Sequence, residues 1–231
     1  MKAFGLFGVL SLAILLMLGV SGCMGIQSDK VIKEEILAYL GEKYNGQEFE
    51  VIGLERGYSY TLHCYPKGGD PEADRVKAYL STKEAGVEGR YFSDNYFGIL
   101  IREDVEAEVL AVISDLSLPM KVYYTSYTFS SYNNIFDGTK TYADLKQEDF
   151  PYLDVSIAVF ADGLNQSEKE DYAMQIFDKL EDHGQNWFLN VLFYPHEAFG
   201  RITRTNSNEL AEQYADEYAI FTKIINRKEE D

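Results

Sequence analysis

Residues 187–194, WFLNVLFY, read as a β-strand that is apolar on both faces, with Asn190 as its one polar interruption. Successive strand side chains point to opposite sides, so Trp187, Leu189, Val191 and Phe193 share one face while Phe188, Leu192 and Tyr194 share the other. Such a strand belongs in the middle of a sheet, covered from both sides. The rest of the chain can be placed around it.

Upstream, Ala173, Ile176, Phe177 and Leu180 recur at helical spacing, Asn165 and Glu168 form a capping box, and Gly184 ends the helix. Leu153, Val155, Ile157 and Val159 alternate along a strand over Leu153–Phe160. Met120–Phe129, rich in β-branched and aromatic residues, reads as another strand. A polar loop, residues 130–147, separates the two and holds a short helix near Tyr142. Downstream, Asn206 and Glu209 suggest a second capping box, and Leu210, Tyr214, Tyr218, Phe221 and Ile225 predict a last helix.

The earlier half opens with a helix over Asp29–Tyr44, capped by Ser28 or Asp29 and ended by Asn45-Gly46. Strands follow over Phe49–Leu54, Tyr58–Tyr65 and Arg75–Thr82. One or two more strands are expected over Gly89–Ile101, broken near Ser93-Asp94-Asn95, and then a helix over Glu103–Leu116 closed by Pro119. This order predicts an α+β fold, a mainly antiparallel sheet with about four helices packed on one face. Residues 29–118 and 119–231 form either two lobes meeting near Leu118-Pro119 or two halves of one core.

The 231 residues are 46% hydrophobic and 14% aromatic, the composition of a folded domain with ample core. The formal net charge of -17 argues against nucleic-acid binding and against electrostatic attachment to anionic lipid. Such acidity reads first as a soluble, self-repelling surface.

Residues 1–20, MKAFGLFGVLSLAILLMLGV, carry Lys2 and then an uncharged, mostly apolar run from Ala3 to Val20. This is targeting sequence, either a secretory signal or an uncleaved anchor. The next residues decide between them. Val20-Ser21-Gly22-Cys23 resembles the lipobox of bacterial lipoproteins: an aliphatic residue, two small residues, then cysteine. The resemblance implies that residues 1–22 are removed as a signal peptide and that Cys23 carries a diacylglyceryl group, with further acylation of palmitate type. Two chains on one cysteine give the two-signal anchoring that one chain lacks. Residues 23–28 would then be a short tether, its five residues after Cys23 spanning at most roughly 18 Å. The body would sit on the outer face of the cytoplasmic membrane. Ile36–Gly53, ILAYLGEKYNGQEFEVIG, is similar to the helix-then-strand opening of small Gram-positive lipoproteins and implies a single-membrane cell.

Catalytic patterns are sparse. His63 and Cys64 adjoin in TLHCYP, but strand neighbours face opposite ways, so Cys64 is expected in the core with Leu62 and His63 at the surface. With Cys23 acylated, Cys64 has no disulfide partner. Asn133, Asp137, Gly138 and Asp144 superficially match positions one, five, six and twelve of a calcium loop. Ile135 occupies a ligand position and the last ligand is Asp instead of Glu, so an Asp-Gly turn is the better reading. No zinc, phosphate-loop, dinucleotide or serine-hydrolase motif is present, and no cofactor is expected.

The Tyr-rich stretch over Lys121–Tyr142 is the most suggestive part of the body. Tyr, Ser and Asn together make good contact surfaces, and Tyr123, Tyr127 and Tyr132 are the candidate interaction residues. Function is therefore expected to be that of a membrane-anchored binding or accessory module for a protein or cell-wall partner. The alternatives are a cell-wall or peptide hydrolase with a carboxylate site and a structural or assembly lipoprotein.

Overall fold

The computed structural model describes residues 28–84, 87–125, 136–147, 152–183, 185–206, 210, 213–214 and 219–226, with backbone alone over 82–90. Helix α1 (Asp29–Lys43) leads into strands β1 (Phe49–Arg56), β2 (Tyr60–Pro66), β3 (Val76–Glu84) and β4 (Val87–Asp94). Helices α2 (Tyr96–Leu100) and α3 (Arg102–Val112) follow, then β5 (Met120–Thr125), α4 (Tyr142–Gln147), β6 (Leu153–Phe160), α5 (Gln166–Glu181) and β7 (Trp187–Tyr194). A 3-10 turn over His196–Gly200 and strand β8 (Ala219–Ile225) complete the described elements.

The strands form two four-stranded sheets, ordered β1-β2-β3-β4 and β5-β6-β7-β8. All pairings are antiparallel except β6–β7, which α5 connects as a crossover. The fold is α+β. The helices are not packed on one face of one sheet, as the sequence led us to expect. Instead α1 packs against β1, β2 and β3, α5 against β7 and β8, and α3 against β5 and α5. Each sheet has its own apolar inner face and so recruits its own helix. Buried side chains from both halves, from Ile32 and Leu62 to Val191 and Ile225, belong to one continuous cluster.

Strand β7 is central, between β6 and β8, as its two apolar faces require. Trp187, Leu189, Val191 and Phe193 face the main cluster. Leu192 and Tyr194 face a second one, with Ala158, Phe160, Ala198, Ile202, Leu210 and Tyr214. Helix α5 starts with the expected capping box: Asn165 accepts from the Glu168 N–H at 3.1 Å, and Glu168 accepts from the Asn165 N–H at 2.8 Å.

Two expectations are corrected. Residues 96–100 are helical, not strand. Tyr96 and Phe97 are both buried, which adjacent strand residues under a one-sided sheet cannot achieve, and Asp94 Oδ1 accepts the Tyr96 N–H at 2.9 Å to start the turn. Residues 219–225 form β8 and not the end of a helix. Helical turns are described as far as Tyr214: Leu210 N–H donates to Asn206 O at 3.0 Å and Tyr214 N–H to Leu210 O at 3.1 Å. Asn206 Oδ1 accepts the Thr203 N–H at 2.7 Å and its Nδ2 donates to the Arg201 carbonyl at 2.9 Å, while the N–H groups a capping box would use, at 208 and 209, lie outside the described residues. Tyr218 and Glu209 lie outside the described residues. The exposed edge of β7 offers a ladder of hydrogen bonds and a Phe193 ring for Phe221 to meet edge-on at 5.8 Å, so the strand wins there.

Candidate functional site

The densest polar arrangement beside the Tyr-rich stretch lies where α3 meets the open edge of β5. Glu106, on α3, accepts the backbone N–H of Tyr124 at 2.8 Å. Arg204, on the segment after β7, donates to the Tyr124 carbonyl at 3.0 Å and to both oxygens of Glu106, at 2.6 and 3.0 Å. The two side chains thereby satisfy the backbone that an edge strand leaves unpaired. The Arg204 guanidinium also lies 5.6 Å from the centre of the Tyr123 ring. Tyr123 OH donates to the Ile202 carbonyl at 3.1 Å, and burial lifts its phenol above the ordinary value while Arg204 opposes that shift. Lys121 donates to the same carbonyl at 3.0 Å and lies over the Phe199 ring. Tyr123 is thus a half-buried anchor for residues 199–204. Tyr127 and Tyr132, expected beside it, lie outside the described residues.

A second arrangement centres on Glu108, two residues along α3 from Glu106 and so on a different side of the helix. Its carboxylate accepts from Lys146 Nζ at 2.7 Å and from Tyr142 OH at 3.2 Å, and lies 3.0 Å from His183 Nε2. Glu108 therefore joins α3 to α4 and to the end of α5. Burial, then the Glu108 charge, push the Tyr142 phenol well above its usual range.

The third is buried. Asp94, at the end of β4, accepts from Tyr39 OH and Tyr44 OH, each at 2.6 Å, and from Lys43 Nζ at 2.8 Å. Its side chain is 0% exposed and that of Lys43 only 9%, so this ion pair is out of water. Burial, then the Asp94 charge, hold both phenols far above the ordinary tyrosine value. A little further along, Arg102 donates to Asp74 at 2.7 Å and to the Ala73 carbonyl at 2.7 Å. Burial acts to raise the Asp74 carboxyl, but the Asp70 N–H and Arg102 together bring it below its usual value.

Cys64 is fully buried in the sheet, and burial, aided by the Asp94 charge, lifts its thiol to about 12. A thiol so disfavoured as thiolate is no nucleophile. His63 faces the other way, as strand geometry requires. It is half-buried instead of freely exposed, with Nε2 3.1 Å from the Glu55 carboxylate. His183 is engaged by Glu108, and the His196 N–H donates to Asp162 at 2.8 Å.

In the calcium-loop-like stretch, Asn133 lies outside the described residues. Asp137 accepts from Thr139 N–H at 2.8 Å and Thr139 Oγ1 at 2.6 Å, building a turn. Asp144 and Thr141 cap α4 reciprocally, at 2.7 Å and 3.3 Å. Gly138 N–H donates to Lys43 O at 3.1 Å, which ties this turn to the end of α1. Among the described residues no group of three or more His, Cys, Asp or Glu side chains could hold a metal ion. Cys23 lies outside the described residues, and no described helix is long and apolar enough to cross a membrane.

Sequence reasoning missed Glu106, Glu108, Asp94 and Arg204. Each is one acid or base among many, and only chain folding over separations of up to 98 residues brings its partners together.

No protein-family model matches the chain, and no curated protein matches it. One solved structure is similar: a DUF5037 family protein from Ruminococcus gnavus, at a TM-score of 0.50 and 16% identity, covering 85% of this chain and 92% of that one. Identity at that level speaks to the fold alone.

Proposed function

We propose that this chain is a lipoprotein anchored through Cys23 on the outer face of a cytoplasmic membrane, and that its folded body is a binding or accessory module. The Val20-Ser21-Gly22-Cys23 motif carries the reading. The body begins close behind it: Ser28 caps α1, accepting from the Val31 N–H. Five residues between Cys23 and that helix hold the body within roughly 18 Å of the bilayer.

The choice of a binding module over a hydrolase rests on how the carboxylates are used. Asp74, Asp94, Glu106 and Glu108 are each held by a cation, Arg102, Lys43, Arg204 and Lys146 respectively. A general acid or base needs a carboxyl able to exchange its proton with substrate. These four instead join helices to strands and loops.

The test is metabolic labelling of the full chain in a single-membrane bacterium with an alkyne fatty acid, followed by fractionation. Label and membrane recovery that both vanish in Cys23→Ala support the anchor. Label-free protein whose N-terminal peptide retains Met1 overturns it. Affinity capture with the lipidated chain, using Tyr123→Ala as the comparison, then tests the module: a partner lost in that variant supports it.

A further inference from the structure

We infer that β8 is a self-association edge: two copies of the chain pair their β8 strands antiparallel about Thr222, joining two four-stranded sheets into one of eight. The inference is independent of the lipid anchor. Strand β8 pairs with β7 along one side, and no described strand pairs with the other. Ile220 and Ile224 are 52% and 56% exposed, the most exposed aliphatic side chains among the described residues. Both lie on the same face of the strand, either side of exposed Thr222.

The exposed residues of the strand, Ile220, Thr222 and Ile224, read the same in both directions. An isologous contact needs a surface that is its own complement. Antiparallel pairing about Thr222 supplies it. Ile220 of one copy then stands opposite Ile224 of the other, twice, on one face, with the two threonines between them. On the opposite face Phe221 meets Lys223, twice. A one-residue slip would put each isoleucine against the wrong face, so the register is specified.

Charge favours a second copy at this place over elsewhere. The chain carries 38 acidic residues and a net charge of -17, so most of its surface repels another copy. Ala219–Ile225 holds no acid at all. Lys223, the kind of charge that blunts an edge strand, is neutralised by Glu181 at 2.8 Å and lies 5.8 Å from the Phe177 ring centre. Other edges are treated differently. That of β5 is filled by Glu106 and Arg204, and β1 is bulged between Val51 and Gly53 and bears Glu50 and Glu55.

Disulfide trapping tests the inference. In the paired register the two Thr222 Cα atoms are about 4.5–5.5 Å apart, within disulfide reach. Thr222→Cys in the full chain should give a covalent dimer on mild oxidation, with unsubstituted protein controlling for Cys23 and Cys64. Ile220→Cys and Ile224→Cys should cross-link when mixed and not alone. Sedimentation should show a wild-type dimer that Ile220→Lys with Ile224→Lys converts to a monomer of unchanged circular dichroism. A wild-type chain that stays monomeric, a dimer indifferent to the lysines, or a Thr222→Cys chain that traps only a different protein would each overturn it.

Discussion

The carboxylate of Glu106 accepts the backbone N–H of Tyr124 at 2.8 Å, so a helix side chain does for β5 what a fifth strand would do. The same carboxylate fixes Arg204, which closes the neighbouring carbonyl. Glu106→Leu should leave Arg204 half-buried without its charge partner and free two edge groups. The expected cost is about 2–4 kcal/mol, below the full value for a buried pair because both side chains keep some contact with water. Urea unfolding reads it directly, and an unchanged midpoint would count against the clamp.

Asp94 is a harsher site. Asp94→Asn removes the charge opposite a nearly buried Lys43 while keeping the volume. A loss of roughly 3–5 kcal/mol is expected, and Lys43→Met in the same chain should recover part of it. Double-mutant analysis of the pair checks this.

Two tyrosines should respond in opposite ways to loss of the hydroxyl. Tyr44→Phe deletes the 2.6 Å hydrogen bond to a buried carboxylate and should cost about 1.5–3 kcal/mol. The Tyr124 hydroxyl is buried with no hydrogen-bond partner among the described residues. Tyr124→Phe should therefore be neutral or stabilising by up to about 1 kcal/mol. Thermal melts of the two variants side by side separate them.

Alkaline pH should destabilise the fold. Burial and the Asp94 charge raise Tyr39 and Tyr44, burial chiefly raises Tyr124, and burial and Glu108 raise Tyr142. A raised folded pKa contributes stability that is fully present below the unfolded value, about 10 for tyrosine, and lost as pH climbs towards the folded one. Cys64, lifted to about 12, acts with the same sign from its own lower unfolded value. Urea midpoints should hold near neutrality and fall above about pH 9. A midpoint rising through that range would contradict the assignment.

Cys64 should also be silent to thiol reagents in the native state. Its thiolate is scarce and its sulfur is fully buried. A chain carrying Cys23→Ser should react with a water-soluble disulfide reagent only after denaturant is added. Rapid native labelling would place the thiol at the surface.

Much of the fold was legible because local chemistry and tertiary structure agree. Asn165 and Glu168 cap α5, and the apolar alternation of β6 places Val155 and Ile157 inward, for reasons contained within a few residues. The candidate sites were not legible. Asp94 looked like part of a strand break, and it does end β4, but its role depends on α1 and its C-cap delivering Tyr39, Lys43 and Tyr44 from fifty or more positions away.

The sequence by itself determined the α+β class, the central position of β7, the direction of Cys64 into the core and the lipobox resemblance at Cys23. Each follows from side-chain period, burial preference or a contiguous motif. Tertiary structure alone decided that the described strands form two sheets, that residues 96–100 are helical and that 219–225 extend. The spacing of Leu210, Tyr214, Phe221 and Ile225 suits a helix, and alternation within Ala219–Ile225 suits a strand. Propensity cannot choose between them. The unpaired edge of β7 can, because its backbone hydrogen bonds and the Phe193 ring exist only once the rest of the sheet has formed.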